Sequence, residues 1–133
     1  MNPHLFVYGT LLSTVGHPMG DRLRQEARLI GEASIEGKLF SLGKYPGLIE
    51  AAGAGARVHG EVYALNRPAA ALRWLDAYEG ILPGDQDQND YKRVERPVQL
   101  ASGEEIIAWV YVYQGPVAAL SLIPDGRWTP GAK

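Results

Sequence analysis

Hydrophobic positions along this chain fall in short runs separated by glycine and proline. His4 to Tyr8 is an apolar run ending at Gly9, the pattern of a buried strand closed by a sharp turn. Ile35 to Leu42 and Arg57 to Leu65 are rich in β-forming residues and are predicted as strands. Tyr91 to Leu100 alternates polar and apolar residues, as a half-exposed strand does. Glu104 to Gln114 carries Ile, Val, Trp and Tyr and reads as a further strand, broken by Gly115-Pro116.

Helical spacing is clearest over Pro68 to Tyr78. Leu72, Leu75 and Tyr78 supply an apolar stripe, Pro68 suits the first turn, and Gly80 suits the position just past the end. Asp21 to Leu29 is a second helical candidate. The stretch from Gly43 to Ala56 contains Gly43, Pro46, Gly47, Gly53 and Gly55 and is predicted to be mostly turn and loop. Gly84 to Asp90 reads as a polar, acidic loop, and the tail from Ile123 to Lys133 as irregular. Strands and helices do not alternate, which argues against a doubly wound parallel fold. The pattern points to α+β with a twisted or barrel-like sheet.

Composition narrows the functional classes. At 133 residues the chain fits one domain, residues 1–133, with 46% hydrophobic and 21% charged residues. The net charge of −2 and the absence of a Lys/Arg cluster speak against a nucleic-acid partner. No apolar run approaches the roughly 20 residues of a membrane span, and no signal peptide is evident at the N-terminus. There is no cysteine, so disulfides and thiolate chemistry are excluded; a cytoplasmic location is expected.

Two features carry possible chemistry. Leu72, Leu75 and Glu79 lie at helical spacing, which puts a carboxylate on the face that otherwise reads as core. Burial and the negative end of the helix dipole would both raise its pKa and suit a proton shuttle near neutral pH. The alternative is a Glu at a frayed helix end that reaches water. The second feature is Tyr8-Gly9-Thr10-Leu11-Leu12, directly after the first strand. A glycine at such a turn can aim successive backbone N–H groups at one anion, with a Thr10 hydroxyl beside them; the alternative is a plain strand-end turn. His4, His17 and His59 are widely spaced and read as structural or exposed, with no metal-ligand pattern. The serines lack a nucleophile-elbow context. Tyr45, Tyr91, Tyr111 and Tyr113 could each place a hydroxyl in a pocket, with ordinary packing as the default.

Together these segments resemble the γ-glutamylcyclotransferase-like (AIG2-like) family. Phe6-Val7-Tyr8-Gly9-Thr10-Leu11 resembles its N-terminal strand and loop, and Leu75-Asp76-Ala77-Tyr78-Glu79-Gly80 the segment carrying its catalytic glutamate. Gly43-Lys44-Tyr45-Pro46-Gly47-Leu48, Gly60-Glu61-Val62-Tyr63, Tyr91-Lys92-Arg93, Ala108-Trp109-Val110-Tyr111 and Ile123-Pro124-Asp125-Gly126-Arg127-Trp128 follow in the family's order. Thr10 stands where the family loop often has Ser, and both keep the hydroxyl.

The resemblance implies an α+β fold built on a small mixed or antiparallel β-barrel with few helices. It implies an enzyme without metal or cofactor, acting on a small-molecule γ-glutamyl substrate to release 5-oxoproline and a free amine. The same resemblance assigns Glu79 as the acid/base and the Tyr8, Gly9, Thr10 and Leu11 loop as the substrate anchor; among the tyrosines, Tyr111 is taken as the pocket-wall hydroxyl that contacts substrate. Tyr113 shares the face of Tyr111 by strand period, so pattern does not separate them. The loop from Leu82 to Asp90 is expected to border the pocket and to set leaving-group preference. The main alternative is a non-catalytic small-molecule binding module on the same scaffold.

Overall fold

The computed structural model describes residues 1–51, 53, 55–81 and 89–129. In chain order the elements are β1 (His4–Val7), α1 (Pro18–Glu26), β2 (Ala27–Glu36), β3 (Lys38–Ser41), β4 (Pro46–Ile49), β5 (Arg57–Leu65), α2 (Pro68–Tyr78), β6 (Tyr91–Leu100), β7 (Glu105–Tyr113) and β8 (Ser121–Ile123). Five strands close a barrel in the order β1-β5-β2-β6-β7, and β4-β3-β8 form a small second sheet. The pairings are antiparallel except β1 with β7, which run parallel and meet at Leu5 and Trp109. The α+β barrel expected from the sequence is therefore the observed architecture.

Strand alternation builds two cores from the same strands. Phe6 and Tyr8 of the first segment, with Val58, Val62, Val98, Val110 and Val112, fill the barrel interior. The intervening Leu5 and Val7, with Tyr63, Tyr91, Tyr111 and Tyr113, face outward and pack with Leu72 and Leu75 of α2. Leu75 is fully buried and Leu72 nearly so, and each such side chain contributes about 1.5–3 kcal/mol by removal from water. The β1–β7 seam is tied by Asn2, whose carbonyl accepts the Trp109 Nε1–H at 2.9 Å while its amide donates to the Ile107 carbonyl at 3.0 Å.

Four local expectations need correction. The helix predicted over Asp21–Leu29 runs instead from Pro18 to Glu26, capped by the His17 side chain with Pro18 in the first turn. At Ala27 the backbone turns extended, and residues from Ala27 onward pair with β5, beginning with Ala27 against Leu65. The strand predicted over Ile35–Leu42 is two strands, because the chain leaves the barrel at Gly37 and enters the small sheet at Lys38. The Gly43–Ala56 stretch predicted as loop contains β4, an edge strand, where Pro46 costs no ladder bond. The tail read as irregular begins in β8, paired with β3, and returns Trp128 to the barrel core.

Trp74 is held between the helices. Its Nε1–H donates to Glu26 at 2.9 Å and the Arg22 guanidinium lies 4.3 Å from the ring centroid. This is a packing site joining α1 to α2. Among the described residues no helix is long and apolar enough to cross a membrane.

Candidate active site

The C-terminal end of α2 is fixed by its own backbone. The Ile81 N–H donates to the Asp76 carbonyl at 2.8 Å and the Gly80 N–H to the Ala77 carbonyl at 3.1 Å. This is the Schellman arrangement, and it needs the positive φ of 76° that Gly80 supplies. Glu79 occupies the cap position, with its N–H on the Leu75 carbonyl at 2.9 Å. Glu79 thereby stands at the helix end, where it lines a cavity of about 570 Å³.

That cavity opens where the barrel core meets the outer core. Its wall includes Tyr8, Gly9, Thr10 and Leu11 after β1, Glu79 after α2, and Tyr111 of β7. All six residues singled out from the sequence thus meet at one place. Gly9 packs under β4: a Cβ there would stand 2.8 Å from Pro46 Cγ, closer than carbon atoms tolerate. Past Gly9 the chain makes a turn, closed by the Leu12 N–H on the Gly9 carbonyl at 3.0 Å. The N–H groups of Gly9, Thr10 and Leu11 have no acceptor among the described residues. The following turn is clamped by Glu61, which accepts the Ser13 N–H at 2.8 Å and the Ser13 hydroxyl at 2.5 Å.

Glu79 makes no side-chain hydrogen bond or ion pair with a described residue. Desolvation in the cavity wall, and secondarily the negative charge of Asp76, push its pKa from 4.5 up to about 7. Asp76 is itself pinned, accepting from Arg93 Nε at 2.8 Å, Arg93 Nη2 at 3.2 Å and the Tyr111 hydroxyl at 2.7 Å. Arg93 in turn lies 4.3 Å from the Trp109 ring centroid.

The remaining hydroxyls at the site are also committed. Tyr8 donates to the Tyr111 carbonyl at 2.5 Å and accepts from Leu48 N–H at 3.3 Å, and Tyr91 donates to the Pro46 carbonyl at 2.7 Å. Thr10 Oγ1 and the Tyr78 hydroxyl share a bond of 2.6 Å. Burial first, then the charge of Glu79, raises the pKa of Tyr8 and Tyr91; burial also raises that of Tyr111, with its bond to Asp76 next. These phenols stay neutral and serve as fixed walls, so Tyr111 contributes a ring and a brace to Asp76 rather than a free hydroxyl.

The structure separates Tyr111 from Tyr113. Tyr111 lines the cavity, whereas Tyr113 stacks edge-on against Tyr91 and reaches the Pro116 carbonyl at 3.4 Å. Sequence reasoning missed Asp76 and Arg93, which pattern alone marks only as a helix-surface acid and a strand cation. It also set aside His17, which lines the cavity. Its one signal was its place before Pro18 at a helix start. Of the loop expected to border the pocket, Asp90 lines it; residues 82–88 lie outside the described residues. Among the described residues no three His, Asp or Glu side chains come together in the manner of metal ligands.

Comparison with known proteins fits this arrangement. The chain matches the family described as gamma-glutamyl cyclotransferase, AIG2-like, over residues 5–130. It is 38% identical over 125 residues to the gamma-glutamylcyclotransferase family protein ytfP of Citrobacter rodentium, covering 93% of each chain. Its fold superposes on an AIG2-like protein from Mus musculus with a TM-score of 0.68 at 25% identity, covering 98% of this chain and 97% of that one. YkqA from Bacillus subtilis matches with a TM-score of 0.71 at 26% identity over 96% of this chain, which spans 40% of that longer protein. With the family match, the barrel and nearly the whole length in agreement, the chain belongs to the gamma-glutamyl cyclotransferase, AIG2-like family.

Proposed function

We propose that the protein cyclises the γ-glutamyl group of a small amide or dipeptide, releasing 5-oxoproline and a free amine. The observation that carries this reading is the Glu79 carboxylate in the cavity wall, without a partner among the described residues and with its pKa raised to about 7, in the same wall as three backbone N–H groups that also lack an acceptor among those residues. A group poised near neutrality both takes and returns a proton without a large penalty.

The nucleophile comes with the substrate. The N–H groups of Gly9, Thr10 and Leu11 hold the α-carboxylate and fold the glutamyl chain back on itself. Glu79 takes a proton from the α-ammonium, and the freed amine attacks the γ-carbonyl carbon. The new C–N bond closes a five-membered ring, Glu79 returns the proton to the departing nitrogen as the original C–N bond breaks, and the released amine takes the second proton from the ring nitrogen and leaves as an ammonium. Atoms balance without water or a covalent enzyme intermediate, which is why no Cys or Ser nucleophile is called for. Proton transfer by a placed carboxylate is worth about 10²–10⁴ in rate, and holding the ring-closing conformer adds several kcal/mol more.

The test is release of 5-oxoproline from a panel of γ-glutamyl amines and dipeptides, measured by mass spectrometry, with Glu79→Gln run in parallel. Product from the parent and its loss in the variant support the reading. If neither protein forms product while γ-glutamyl ligands still bind, the protein is a small-molecule binding module on this scaffold.

A further inference from the structure

One imidazole in the cavity wall has no task in the cyclisation scheme. His17 Nδ1 accepts the N–H of Met19 at 3.0 Å and so caps α1. The ring stands edge-on to Tyr78 with centroids 5.6 Å apart. Tyr78 in turn shares its hydroxyl bond with Thr10, which places His17 beside the Thr10 side of the anchor loop. A neutral imidazole has one donor and one acceptor nitrogen. With Nδ1 the acceptor, the proton sits on Nε2, and no described residue accepts it. The ring is thus oriented by its cap, braced by Tyr78, and left with an unused N–H in a residue that lines the cavity.

We propose that His17 is a ligand-binding residue of this site, its Nε2–H donating to an oxygen of the substrate carboxylate held by the Gly9–Leu11 backbone. An ionised carboxylate offers about four acceptor positions over two oxygens, more than one backbone turn can fill from one side. The Thr10 and Tyr78 hydroxyls share one bond between them, and the imidazole adds an oriented N–H to the same cavity wall. The identity of the bound molecule rests on the γ-glutamyl reading; the recognition of a carboxylate by an N–H donor does not.

The experiment uses the full-length Glu79→Gln protein, so that ligand is not consumed, and titrates it with γ-glutamyl methylamide. Nitrogen NMR of the His17 ring is expected to show the Nε2 signal move on binding while Nδ1 stays. His17→Asn keeps a capping oxygen at the start of α1 and removes the Nε2–H. By calorimetry it should bind the ligand about tenfold more weakly. The analogue lacking the α-carboxylate, 4-aminobutanoyl methylamide, should bind the two proteins equally. An unmoved Nε2 signal, or equal weakening of both ligands by His17→Asn, overturns the proposal. The 5-oxoproline assay on the protein retaining Glu79 separates the two ideas. No turnover with the ligand cycle intact removes the cyclase reading and leaves His17, whereas no binding to the parent overturns both.

Discussion

The Tyr111 hydroxyl donates to Asp76 Oδ1 over 2.7 Å, and Asp76 precedes Glu79 by one helical turn on α2. A strand in the barrel wall therefore holds the negative charge that helps keep Glu79 protonated. Arg93 shares that carboxylate. The ionisation of Glu79 is set partly by Asp76, which Tyr111 and Arg93 hold in place.

Glu79 ties activity and stability to the same pH range in opposite directions. In the proposed cyclisation Glu79 acts as the base and must be ionised, so kcat/KM should rise with pH through about 7. The folded-state pKa is raised above the unfolded value, so folding favours the protonated carboxyl. Its stabilising contribution is present below about 4.5 and lost as pH rises towards 7. Glu79→Gln should unfold like the parent at about pH 4 and be more stable by at most about 3 kcal/mol above about pH 8. Urea denaturation across pH checks the second effect, and a pH–rate profile the first.

Removing the Asp76 charge should lower the pKa of Glu79. Asp76→Asn also leaves the Arg93 cation without its bidentate partner. The ascending limb of the pH–rate profile should move to lower pH, and stability should fall by about 1–3 kcal/mol. A limb that stays in place would show that burial alone sets the Glu79 pKa.

Tyr111→Phe and Tyr113→Phe should differ although the two positions share a strand face. The first loses a bond to a charged acceptor and should cost about 1.5–3 kcal/mol, with a shifted pH–rate limb. The second loses only a 3.4 Å contact to a carbonyl and should stay within about 0.5 kcal/mol of the parent. Thermal unfolding of the pair decides this.

Gly9→Ala forces a methyl group against Pro46, where the contacts would be 2.8 and 2.9 Å. Overpacking of this kind costs about 1–3 kcal/mol. Because the displaced backbone is the anchor loop itself, ligand affinity should fall along with stability. Calorimetry with a γ-glutamyl ligand measures the first and denaturant unfolding the second.

Much of this was legible in the chain because the relevant signals are local. The apolar run of β1, the β-forming residues of β5 and β7, the alternation of β6 and the stripe of Leu72 and Leu75 carry their own pattern, and the Tyr8–Leu11 loop and Glu79 sit at the ends of β1 and α2. What escaped depends on partners far along the chain. β4 and β8 are strands because β3 lies between them, not because Pro46–Ile49 or Ser121–Ile123 look like strands. Period two puts Tyr111 and Tyr113 on one face; only the arrival of Asp76 at one and Pro116 at the other tells them apart. His17 has no periodic neighbours, and its place in the cavity depends on Tyr78 coming to meet it.

The closing seam between Leu5 and Trp109 has a consequence for biosynthesis. During translation the anchor loop and His17 emerge before Glu79, and Tyr111 only with the last barrel strand. Loop closure over such sequence distances is the slow part of folding. A nascent or truncated chain that stops before β7 holds Glu79 and the anchor loop but has neither a closed barrel nor the Tyr111 brace. Until β7 is made, Asp76 lacks its bond to Tyr111 and the cavity around Glu79 lacks the wall that this strand supplies.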